Sequence, residues 1–204
     1  PRPLSRGAVA ATVLVSGRLE RRLGGARSRR GPAPRPTGRD RVRVGLESWM
    51  RRRLADPGLS ISGLRTPTGT GVANETVLFD ATSSRGSTEG YVARLATADS
   101  LYLDYDLTVH YRMYDAMMAF PTVPTPDVLG DEEDPDVVGA PFFVMERIDG
   151  IVPTDQPSWA TEGFVVDAEP AQRRALWEQT VRTMAELHRL EVEPFQFLRT
   201  GATE

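Results

Sequence analysis

The chain has 204 residues, 25 basic and 28 acidic, a formal net charge of −3 and no cysteine. With 40% hydrophobic and 26% charged residues it has the balance of an ordinary globular domain, or one and a fraction. The lack of cysteine excludes a disulfide scaffold and every thiolate metal site, and His110 and His188 are too few for a usual all-protein zinc site. No apolar run approaches the ~20 residues a spanning helix needs, so the expectation is a soluble cytoplasmic domain without a membrane partner.

Charge is distributed unevenly along the chain. Residues 1–43 carry 12 Arg against Glu20 and Asp40, a net +10; the remainder carries 13 Arg against 26 acids, a net −13. Every basic residue is Arg, so any phosphate contact usually made by lysine needs a substitute. The sequence starts at Pro1, not Met, and reads as a fragment.

Residues 1–41 read as a disordered Arg/Pro/Gly-rich tail. Ala8–Val15 is a short apolar run behind Arg2 and Arg6, but Val15-Ser-Gly-Arg18 lacks the small-x-small cleavage site of a signal peptide. Gly31-Pro-Ala-Pro-Arg-Pro-Thr-Gly38 cannot hold a helix or an inner strand. Clustered Arg neutralises phosphates, yet no aromatic is interleaved to stack on bases, so nucleic acid is not the expected partner.

From Asp40 onward, Leu46, Trp49, Met50 and Leu54 recur at helical spacing, and Asp56-Pro-Gly58 ends the run. Leu59–Leu64, Glu75–Asp80 and Gly90–Leu95 alternate or run apolar like strands. With the loop Thr66–Gly71 and the polar turn Ser83–Gly90 between them, they predict an antiparallel meander. Leu107–Met118 predicts a helix with Leu107, Tyr111, Tyr114 and Met118 on one stripe, closed by Pro121, Pro124 and Pro126. Asp131–Asp136 reads as a solvated acidic loop rather than a metal site. Pro141–Met145 reads as a buried strand broken by Asp149-Gly150, and Gln156–Glu169 as a loop. Ala171–Leu190 predicts a long amphipathic helix, with Leu176, Val181, Met184 and Leu187 inward and Pro170 in its first turn. The fold class is α+β: a lobe of antiparallel sheet plus helix, followed by the opening of a helical one.

Four segments resemble, in this order, the aminoglycoside phosphotransferase-like kinase family, which includes choline-kinase-type enzymes. They are Gly69-Thr-Gly-Val-Ala-Asn-Glu-Thr-Val-Leu-Phe-Asp80, Gly90-Tyr-Val-Ala-Arg-Leu95, Val123-Pro-Thr-Pro-Asp-Val-Leu129 and Pro141-Phe-Phe-Val-Met-Glu-Arg-Ile-Asp-Gly150. Leu187-His-Arg-Leu190 resembles a fifth, the end of the first large C-lobe helix. The resemblance covers roughly residues 43–191. It implies a protein-kinase-like N-lobe over 42–148, then a hinge and an incomplete C-lobe over 149–204, with ATP and Mg²⁺ as cofactors and a small-molecule hydroxyl as acceptor.

Glycines between two strands let backbone N–H groups approach phosphate oxygens. The family pattern is close to Gly-x-Ser-Asn-x-Thr. Here Gly69, Gly71, Val72, Ala73, Asn74 and Thr76 occupy the segment, and Ala73 replaces the usual Ser. Taken alone, such a glycine pair is an ordinary hairpin turn. Arg94 falls where many kinases place the lysine that holds the α- and β-phosphates; its planar fork can serve two oxygens, and otherwise it is an exposed strand arginine. The helical partner of that cation, usually Glu or Gln, is His110 here. A neutral imidazole can accept a hydrogen bond from Arg94 but cannot neutralise it. Asp106, one turn earlier, is the alternative anion, and a packed structural histidine is the plainer account.

At the hinge, the resemblance implies that the carbonyl of Glu146 and the amide of Ile148 recognise an adenine edge, with Met145 packing nearby. Phe142, Phe143 and Met145 also read as simple core. His188 reads as structural. A kinase of this kind further needs an Asp base, an Asn and a second Asp for Mg²⁺; nothing after Leu190 supplies them. No catalytic or metal residue is therefore assigned, and the magnesium ligands are expected downstream. The alternative function is a non-catalytic kinase-like nucleotide-binding module, to which Ala73 and His110 lend weight.

Overall fold

The computed structural model describes residues 38–67, 74–97, 106–153 and 157–198. The disorder expected of residues 1–37 and the loop residues Gly69, Gly71, Val72 and Ala73 lie outside the described residues. The described chain falls into two units, one of 38–120, 125–148 and 192–198, the other of 121–124 and 149–191.

The first unit begins with α1, Arg39–Arg53. Arg39, Asp40 and Arg41, placed in the tail by composition, form its first turn. Val42, Leu46, Trp49 and Met50 make its buried stripe, while Leu54 caps the end and is exposed. The arginines of this helix have specific partners. Arg51 and Arg43 pair with Glu47, whose Oε2 also accepts the amide of Ile61 at 3.0 Å. Arg51 Nε donates to the Leu59 carbonyl at 2.7 Å and Arg53 Nε to that of Leu129 at 2.6 Å. Side chains that look like a solvated basic face thus tie the helix to strand ends.

Five antiparallel strands follow: β1 Ser60–Arg65, β2 Asn74–Thr82, β3 Thr88–Ala96, β4 Val128–Glu132 and β5 Phe142–Glu146, in the order β1-β2-β3-β5-β4. The hairpin of β2 and β3 pairs without a slip from Asn74↔Ala96 to Thr82↔Thr88. Its turn needs Gly86, whose φ of +88° is a left-handed position that side chains avoid. The sheet buries both faces. Val77, Phe79, Ala81, Tyr91, Ala93 and Leu95 meet α1 on one side, where Trp49 packs edge-on to Phe142 with centroids 5.4 Å apart. On the other, Leu78, Val92, Val128, Phe143 and Met145 meet Leu107, Tyr111 and Tyr114 of α2, Leu107–Met117. A strand covered on both faces reads as an unbroken apolar run, which is why β5 carries no alternation. The 3₁₀ turn Glu193–Leu198 returns to α2, stacking Phe195 on Phe120 and setting Phe197 under the Arg112 guanidinium at 4.2 Å.

Three expectations are corrected. The acidic loop begins as a strand: Asp131 and Glu132 close β4 and pair with Phe143 and Phe142. The strand was hidden because it is five residues long, at a sheet edge, and shifts register at Gly130, whose φ is +154°. Beyond it, Glu132 and Asp134 carboxylates accept the amides of Asp134 and Asp136, building a turn. In α2 the buried methionine is Met117, not Met118, which is 44% exposed as the helix end. The third correction concerns the second unit, which holds the short α3, Phe164–Asp167, inside the expected loop, and α4, Pro170–Leu187. A capping box of Glu169 and Gln172 with Pro170 starts α4 as its sequence suggests. Its apolar stripe is largely uncovered, as expected of a helix lacking its C-lobe partners: Leu176 is half-buried, and Val181, Met184 and Leu187 are exposed, with Trp177 68% exposed. The described part of this unit offers no sheet or second long helix for that stripe. No described helix is long and apolar enough to cross a membrane.

Candidate functional site

The strand pairing gathers several of the expected residues on the sheet face that carries α2. Arg94 of β3 stands opposite Thr76 of β2 and Phe143 of β5. It alternates in phase with Val92, which packs beneath α2. From α2, Tyr111 and Tyr114 frame the Phe143 ring at 6.1 and 6.2 Å, fixing the helix against the strand. His110, in the same helix, is half-buried, and burial first and the Arg94 guanidinium second hold its pKa below the usual 6.5. At neutral pH the ring is an uncharged imidazole beside a permanent cation.

Asp106, the alternative support for Arg94, has another task. It is the N-cap of α2, and its carboxylate accepts the Thr108 amide at 2.8 Å, meeting one of the unsatisfied donors of the first turn. Asn74 is the first residue of β2, opposite Ala96, so the glycine segment enters the sheet directly upstream of Thr76 and Arg94.

Met145 is buried among Val92, Val128 and Phe143. Backbone bonds from Arg147 N–H to Gly90 and from Ala96 N–H to Pro141, both 2.9 Å, bracket the β3–β5 ladder. Alternation then turns the N–H and C=O of Glu146 away from β3, and its N–H donates to the Asp127 carbonyl at 2.9 Å. Burial raises the Glu146 carboxyl pKa; a bond from the Asp127 backbone opposes this, and the Asp127 and Glu89 charges add to it. Ile148 is exposed just beyond the strand. His188 caps the C-terminus of α4, its amide donating to Met184 at 3.0 Å, a structural place. Among the described residues no group of three His, Asp or Glu is placed to hold a metal ion.

One side chain of this region went unremarked in the sequence. Arg147 Nη1 lies 2.7 Å from Asp80 Oδ1 and 3.4 Å from the Phe79 carbonyl. A faint signal exists in Gly90, a glycine inside a strand with no turn to make.

A five-stranded antiparallel sheet with a glycine-containing connection between its first two strands, and on its third a cation beside a packed helix, defines an α+β lobe of the protein-kinase-like kind. Residues 65–204 match the model of the phosphotransferase enzyme family, APH, and the chain belongs to that family. A crystal structure described as a "putative aminoglycoside phosphotransferase" from Ralstonia eutropha JMP134 is similar, at 26% identity and a TM-score of 0.49 over 73% of this chain. The chain spans 38% of the length of that protein.

Proposed function

We propose that this chain is the nucleotide-binding lobe, hinge and first C-lobe helix of an ATP-dependent phosphotransferase acting on a hydroxyl of a small molecule. The observation that carries the reading is the place of Arg94, opposite Thr76 and Phe143 on the sheet face covered by α2, the helix that contains His110. Arg94 would hold the α- and β-phosphates, with His110 keeping the guanidinium in place by a hydrogen bond instead of a charge. The segment Gly69, Gly71, Val72, Ala73, Asn74 and Thr76 would cradle the phosphates through backbone amides. Glu146 C=O and Ile148 N–H would read the adenine edge over Met145. ATP supplies the phosphoryl group; the family's transfer proceeds by positioning and charge stabilisation.

The base and the magnesium ligands fall outside this stretch of sequence in the same reading, since no Asp follows Asp167. The second reading, a kinase-like module that binds nucleotide without transferring phosphate, draws on His110, an uncharged ring where the family pattern has Glu or, in some branches, Gln. Arg94→Met tests both. A charge-assisted contact is worth about 1.5–3 kcal/mol, so ATP should bind about 10- to 100-fold more weakly while adenosine is unchanged. Equal loss for the two ligands would reject a phosphate role for Arg94.

A further inference from the structure

We propose that Arg147 is a positioning residue that sets the hinge backbone for the nucleobase through an ion pair reaching across the sheet to Asp80; the inference rests on the nucleotide reading above. The chain leaves β5 at Glu146, and Arg147 is the first residue beyond it. Its amide still bonds to Gly90 of β3 at 2.9 Å. Its side chain then passes over that glycine to β2, where Nη1 meets Asp80 Oδ1 at 2.7 Å and the Phe79 carbonyl at 3.4 Å. One residue thus fastens the hinge to the two neighbouring strands.

The sequence makes room for this pair at Gly90. A Cβ at Gly90 would fall 2.5 Å from Arg147 Nη2 and 2.7 Å from Nε, space the guanidinium already fills. Gly90 has no positive φ to explain it, unlike Gly63, so clearance for Arg147 is the structural reason for a glycine there. On β1, a Cβ at Gly63 would lie 2.7 Å from Asp80 Oδ2. The two side chains are 19% and 30% exposed, sheltered enough for the pair to hold one geometry. A guanidinium that occupies the space of a Cβ at position 90 and meets a carboxylate on the next strand is held in one orientation. Glu146 and Ile148, the residues whose backbone would meet adenine, flank Arg147 on either side. Asp80 stands on the strand that leaves the glycine segment at Asn74, so the pair also relates the base end of the site to the phosphate end.

The test is titration of the 204-residue chain with adenosine and with ATP, well below each variant's unfolding midpoint, for Arg147→Met, Asp80→Asn, Gly90→Ala and Arg147→Lys. Gly90→Ala keeps both charges and only displaces the guanidinium, so it also serves if Arg147→Met does not fold. The expected result is about tenfold weaker binding of both ligands in the first three variants, with most of it recovered in Arg147→Lys, which keeps a cation near Asp80. Wild-type adenosine affinity in folded variants, with only the unfolding midpoint lowered, would make the pair merely structural and overturn the inference. Loss confined to ATP would place Arg147 at the phosphates and overturn it too. A wild-type chain that binds neither ligand would overturn the nucleotide reading itself, and the inference with it.

Discussion

Gly45→Ala offers a test of the packing that carries the sheet, because two well-known effects oppose each other there. Gly45 lies inside α1, and replacing an interior helical glycine by alanine ordinarily stabilises by about 1 kcal/mol. At this position the new Cβ would overlap the Val137 carbonyl oxygen and lie 2.9 Å from both Val137 C and Val138 Cγ1. Two of those atoms are backbone, and Val138 is 1% exposed, so none can swing aside. The helix must back away, loosening Val42, Leu46, Trp49 and Met50 together. Overpacking of this kind costs about 1–3 kcal/mol, and contact with backbone puts it at the upper end. The net loss is then about 2 kcal/mol, a drop of roughly 1 M in the urea midpoint for a domain of this size. Unfolding followed by tryptophan fluorescence and circular dichroism measures it. A midpoint equal to or above wild type would refute the close approach of α1 to residues 137–138.

His110 should make stability depend on pH. Because its folded pKa lies below the usual 6.5, the unfolded chain binds the proton more readily. Stability should therefore fall as pH drops through 6.5 toward the lower folded value, and His110→Gln should flatten the profile of unfolding midpoint against pH. His110→Glu, which places an anion beside Arg94, should retain or improve ATP affinity in calorimetric titration; a severe loss would mark His110 as a packed structural ring. The 204-residue chain should show no ATP turnover above background with a panel of hydroxyl acceptors, since general-base help alone is worth ~10²–10⁴ and no Asp follows Asp167. Turnover that Arg94→Met abolishes would refute that expectation.

Much of the lobe was legible because its signals are local. The stripe of Leu46, Trp49 and Met50, the meander of β1 to β3 and the apolar run of β5 are each set by consecutive residues, and Pro and Gly mark where they stop. Arg94 and His110 were named from their places in motifs, and the fold adds that Arg94 lies on the sheet face covered by the helix that holds His110, whose pKa burial and the Arg94 charge lower. Asp106 was also readable: an Asp just before a helical stripe is an N-cap signal, and it caps α2. What escaped depends on partners distant in sequence. β4 is a strand because β5 supplies its hydrogen bonds, and its own five residues carry too little pattern to announce it. The sheet order β1-β2-β3-β5-β4 follows from which edges remain to be paired and covered. The exposure of Val181, Met184 and Leu187 in α4, by contrast, was expected, since periodicity gives the stripe and the partners that would cover it were not in the sequence. Asp80 and Arg147 are 67 positions apart, and no window along the chain contains both; only the pairing of β2, β3 and β5 brings carboxylate and guanidinium to 2.7 Å over a glycine.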